Sequence, residues 1–132
     1  MTSELRSEIR VDATPDEAWA VVGDLAAANR WVPGVVRARV DGPTRVCTLA
    51  DGAEIHEEIS GYSPEQRRYS YTHTRHPMPL ERSTGTLAVM PDGAGSRVVW
   101  DATVEVPDPA LASMLETGVR EAMESLAARL RA

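Results

Sequence analysis

A carboxylate, a phenol and an imidazole, Glu57, Tyr71 and His73, fall where two neighbouring strands can bring them together. A buried glutamate can remove a proton, a phenol can stabilise the enolate oxygen that results, and an imidazole can shuttle between roles. That chemistry fits cyclisation or dehydration of a carbonyl compound. The same three groups can instead form a satisfied polar cluster that fixes a sheet or orients a ligand. The remaining histidines add no metal site by pattern: His56 should point outward, His73 inward, and His76 lies in a loop. Cys47 has no patterned histidine partner, so it reads as a core or cavity thiol rather than a nucleophile. No glycine-rich phosphate loop, nucleotide fingerprint or Ser-His-Asp arrangement is visible, and neither a metal nor a cofactor is expected.

The strands must place these groups. In residues 67–74, Tyr69, Tyr71 and His73 share one face, and Arg68, Ser70, Thr72 and Thr74 the other. The second face is plainly for solvent, so the aromatic face points inward. A hairpin centred near Pro64 sets Ile59 across from Tyr69, Glu57 across from Tyr71, and Ile55 across from His73. A lone buried carboxylate is costly, so Glu57 needs donors or becomes neutral. Tyr71 is one donor. Arg45 is another if Arg45 and Cys47 face inward; the Asp51-Gly52 turn leaves open the alternative, Val46 and Thr48. The hairpin at Asp92–Gly95 aligns Leu87 with Trp100 and Gly85 with Ala102, and the small pair leaves room for a ligand.

The wider pattern supplies the other elements. Leu5 to Val11 alternate as a half-buried strand. Thr14, Pro15 and Glu17 form a capping signature for a short helix through Trp19 to about Asp24. A second short helix spans about Leu25–Asn29 and ends at Trp31-Val32-Pro33-Gly34. Six strands follow, at 35–40, 44–50, 53–62, 67–74, 82–90 and 96–106, with short connections that require antiparallel pairing. The last helix, 108–131, starts with Asp108 as N-cap and Pro109 at its first position. Leu111, Leu115, Gly118, Val119, Ala122, Leu126 and Leu130 make its apolar stripe, bordered by Met114 and Met123. Small Gly118 and Ala122 leave space beneath its middle. The fold class is thus α+β, with a curved seven-stranded antiparallel sheet, two short helices after strand 1, and a long C-terminal helix over a cavity. The expected lining is Trp31, Arg45, Tyr69, Gly85, Leu87, Trp100, Met114 and Gly118. The proline-stiffened loop Arg75–Pro79 is placed to act as a lid.

The totals agree with a modest pocket. A chain of 132 residues reads as one domain, 1–132. Hydrophobic residues make up 42% and charged ones 26%, ordinary for a globular protein. The net charge of −6 argues against a nucleic-acid partner or an anionic membrane surface. No apolar run suits a membrane span, and no signal peptide is visible at Met1-Thr2-Ser3-Glu4. A single cysteine forbids an intramolecular disulfide and suits a reducing cytoplasm. All fourteen basic residues are arginine, which reads as the codon bias of a GC-rich bacterial genome.

An ordered set of residues then carries a resemblance: Pro15 and Trp19 in the first helix, Asp24 after it, and Trp31 with Pro33 closing the second. Ala50-Asp51-Gly52, Glu57, Tyr71, the Pro77-Met78-Pro79 loop and the Trp100 strand continue it. With this element order, the chain resembles the START-like helix-grip fold over nearly its whole length, and more narrowly the polyketide cyclase/dehydrase-type SRPBCC proteins. It departs from many of them at Val32, where they carry histidine. The resemblance implies a deep cavity between sheet and final helix, and members that bind, carry or transform hydrophobic small molecules. The leading expectation is a monomer or weak homodimer that binds a small hydrophobic, aromatic or lipid-like molecule. The rivals are a polyketide cyclase/dehydratase using Glu57, Tyr71 and His73, and a protein-interaction module whose cavity its own side chains fill.

Overall fold

The computed structural model describes residues 1–131. Strand β1 (Thr2–Val11) leads into α1 (Pro15–Val22) and a 3-10 helix (Leu25–Arg30). Then come β2 (Val35–Asp41), β3 (Thr44–Leu49), β4 (Glu54–Ser63), β5 (Arg68–Arg75), β6 (Arg82–Asp92) and β7 (Gly95–Glu105), followed by α2 (Pro109–Arg131). The sheet has seven strands in the order β1-β7-β6-β5-β4-β3-β2, each pair antiparallel. Consecutive strands pair because two- to six-residue turns can only reverse the chain. The exception is β1, which crosses to the far edge and pairs with β7.

Local chemistry sets the helix starts. The Thr14 hydroxyl accepts from the Glu17 N–H at 3.2 Å, and the Glu17 carboxylate accepts from the Thr14 N–H at 3.1 Å. This reciprocal cap is worth about 1 kcal/mol. In α2 the Asp108 carboxylate accepts from the Leu111 N–H at 3.0 Å.

Helix α2 is anchored at its two ends and not in its middle. Its first turn packs Leu111 and Ala112 against Leu5, Ala102, Val104 and Val106. Its last turns pack Ala122, Met123, Leu126 and Ala127 against α1 and the inner faces of β5 to β7. Full burial of a side chain such as Leu126 contributes about 2 kcal/mol. Between these anchors Gly118 has open space where a Cβ would stand, and Met114 is 63% exposed. The expected stripe is therefore interrupted at its centre. Met123, placed at its border, is fully buried core.

The β4–β5 hairpin corrects the expected register. Glu57 lies across from His73, not Tyr71, and Ile59 lies across from Tyr71, not Tyr69. The turn is centred beyond Pro64, with Ser63 opposite Arg68 and Arg67 at φ 51°. A bulge between Ser60 and Ser63, with Gly61 at φ 59°, makes up the rest. The slip is of two residues, so every side chain keeps its face. On β3 the open question resolves to Arg45 and Cys47, which face inward. The β6–β7 register is as expected, Leu87 across from Trp100 and Gly85 across from Ala102.

Candidate functional site

Beneath the unanchored middle of α2 lies a cavity of about 450 Å³. Most of its wall is apolar, with Trp31, Leu87, Trp100, Val104 and Met78 among the lining side chains. The end formed by β3, β4 and β5 is polar. There the cross-strand register sets Arg45, Glu57 and His73 in one row.

Glu57 is fully occupied. Arg45 Nε donates to its Oε1 at 2.9 Å and Nη2 to its Oε2 at 3.2 Å, a bidentate pair with both side chains under 9% exposed. The Cys47 thiol donates a longer bond, 3.7 Å, to Oε1. Charge-assisted forks of this kind are strong, and here they answer the desolvation of both ions. Burial opposes the charge on Arg45, but Tyr69 and Glu57 outweigh it and the pKa is raised. Burial pushes the Cys47 thiol up to about 11, which keeps it protonated and unreactive.

His73 is neutral. Burial takes it down to about 4, against the opposing pull of Glu57. Its Nδ1 lies 2.7 Å from the Ser83 hydroxyl and its Nε2 3.6 Å from Glu57 Oε2. The carboxylate favours the proton on Nε2, which leaves Nδ1 to accept from Ser83. His76, from the proline-rich loop, packs edge-on against His73 with ring centroids 5.1 Å apart. Its Nδ1 accepts from the Met78 N–H at 3.1 Å, so the proton of the neutral ring sits on Nε2. Burial lowers its pKa as well.

Tyr71 does not donate to Glu57. Its ring crosses the face of Gly85, where an added Cβ would collide with the hydroxyl. Its oxygen accepts from the Trp100 indole N–H at 2.9 Å. Burial raises its pKa, so the phenol keeps its hydrogen. Trp31 meets Trp100 edge-on at 6.2 Å and closes one wall.

Of the residues expected to work together, the structure brings Glu57 and His73 into one row and Tyr71 beside them, its ring 5.0 Å from that of His73. Arg45, Tyr69, Leu87, Trp31 and Trp100 all line the cavity, while Met114 and Gly118 stand at its open side. Gly85 leaves no room for a ligand, because the Tyr71 ring fills that space. His76 does reach the site beside His73, whereas His56 stays apart on Glu54. Among the described residues, no three His, Cys, Asp or Glu side chains are disposed to hold a metal. Ser83 was not singled out from the sequence. Its alternation with Gly85 and Leu87 on β6 was the available signal.

A family model described as "Polyketide cyclase / dehydrase and lipid transport" matches residues 2–132. Among curated proteins, none matches. Among solved structures, XoxI from Bacillus cereus is 17% identical with a TM-score of 0.89, covering 97% of this chain and 95% of that one. A Thermobifida fusca protein is 28% identical with a TM-score of 0.79, covering 96% and 92%. The di-domain ARO/CYC BexL from the BE-7585A biosynthetic pathway is 20% identical with a TM-score of 0.83, covering 98% of this chain and 46% of that one. Among the described residues, no helix is long and apolar enough to cross a membrane.

Proposed function

The chain belongs to the polyketide cyclase / dehydrase and lipid transport family, and from that premise we propose that it binds a small, largely apolar molecule beneath α2. One observation carries this reading: a cavity of about 450 Å³, apolar over most of its wall, beneath the part of α2 where Gly118 meets open space. Its size lies in the range of small-molecule sites, and its few polar groups converge at one end. The test is native mass spectrometry of the purified protein against its denatured mass, with a thermal-shift screen of aromatic polyketides, sterols and fatty acids. A co-purified species lost on denaturation, or a stabilising compound, supports the reading. Empty results in both point instead to a protein partner.

A second reading is a cyclase or dehydratase. A neutral imidazole and a protonated phenol facing one cavity favour it. The Ser83 hydroxyl, which borders the cavity and donates to His73 Nδ1, would take the substrate proton as it passes its own to that nitrogen, and Tyr71 would steady the developing oxyanion. Glu57, bound through both oxygens, would hold the row in place rather than act as base. On this reading His73→Gln abolishes turnover of a bound substrate while leaving binding intact.

A further inference from the structure

We infer that the cavity selects neutral molecules carrying an accepting oxygen, above all a ketone or quinone carbonyl, and discriminates against carboxylates. This rests on the ligand-binding reading above and concerns what the polar end recognises.

The argument is a census of hydrogen-bonding valences. Trp100 Nε1–H occupies the Tyr71 oxygen, so Tyr71 is left with its own hydrogen, which meets no acceptor among the described residues. The Met78 N–H occupies His76 Nδ1, so His76 is left with Nε2–H, which likewise meets none. Glu57 takes two bonds from Arg45 and one from Cys47, while Ser83 gives its hydrogen to His73 Nδ1 and keeps its oxygen lone pairs. The hydrogens left on offer are those of Tyr71 and His76. A carbonyl oxygen accepts and does not donate, so it satisfies them. A hydrocarbon in the same place leaves a buried donor unpaired.

Charge gives the second half. Arg45 is the cation at the polar end, and Glu57 already neutralises it. The imidazoles there are neutral by burial. A carboxylate would shed its hydration and gain no free cation, with the Glu57 carboxylate in the same row.

The test titrates the intact chain with three compounds of one shape: 9-fluorenone, fluorene and fluorene-9-carboxylate. Quenching of tryptophan fluorescence reads binding, and infrared spectroscopy reads the ketone's C=O stretch. Fluorenone should bind about tenfold tighter than fluorene, the value of one retained hydrogen bond. The carboxylate should bind weakest. Fluorene is the more hydrophobic, so hydrophobicity alone gives the opposite order. The stretch should move to lower frequency on binding. Equal or tighter fluorene binding, a preferred carboxylate, or an unshifted stretch would overturn the inference while leaving the cavity a ligand site. If none of the three binds, the ligand-binding reading falls with it.

Discussion

Arg45 stands directly across from Glu57 on neighbouring strands and grips both carboxylate oxygens, at 2.9 and 3.2 Å, inside the cavity wall. Removing one partner leaves the other charged and dry. Arg45→Met should therefore cost about 3–5 kcal/mol in urea unfolding at neutral pH. Replacing both, as Arg45→Met with Glu57→Met, should recover much of that loss, because the desolvation of both ions disappears with their attraction. A single variant that costs under about 1 kcal/mol would mean that water reaches the pair.

Gly85 is required by Tyr71 rather than by a turn. A Cβ at Gly85 would strike the phenol hydroxyl and ring. Gly85→Ala should displace Tyr71, break its bond from Trp100, and cost about 1–3 kcal/mol as an overpacked site. Thermal melts would read the loss, and a shifted Trp100 emission would identify its cause. An Ala variant as stable as the parent would show that the ring moves freely.

These two relationships mark what periodicity can and cannot deliver. Alternation assigned Tyr69, Tyr71 and His73 to the inner face because a strand has period two and one of its faces was plainly polar. The long helix and its caps were readable for the same kind of reason: local signals act within one turn. Pairing across β4 and β5 was not, because the bulge at Gly61 and the turn ending at Arg67 together moved the register by two residues. The parity of that slip preserved the face and concealed the error. Whether Glu57 would be met by Tyr71 or Arg45 depended on how far side chains reach, which the pattern does not encode. Gly85 looked like spare volume for the same reason. Nothing in its own strand announces a ring arriving from β5.

His73 should make stability depend on acid. Burial holds its pKa near 4, whereas an unfolded histidine titrates near 6.5. Between those values the unfolded chain binds more protons, so the contribution is complete above about pH 6.5 and is lost as pH falls toward 4. The whole shift corresponds to about 3 kcal/mol. Urea unfolding at pH 7 and pH 4.5 should show the parent losing about 2 kcal/mol more than His73→Gln over that interval. Parallel losses in the two proteins would place the acid sensitivity in other groups, His76 and the carboxylates among them.

Gly118 offers a way to separate stability from binding. It lies within α2, where glycine costs about 1 kcal/mol relative to a good helix former, and nothing stands within 4 Å of its missing Cβ. Gly118→Leu should therefore raise the melting temperature by a few degrees. The same side chain would enter the open side of the cavity and should weaken binding of a rigid probe such as fluorene. Gly118→Ala gains most of the propensity while adding little volume, so it should stabilise without obstructing. Melting curves and fluorescence titrations on the two variants distinguish the outcomes. A leucine that lowers stability would mean that the helix centre is already packed. One that stabilises without weakening binding would mean that ligands enter and rest elsewhere. Stabilisation together with weaker binding is the combination expected of a helix held at both ends over a space kept for something else.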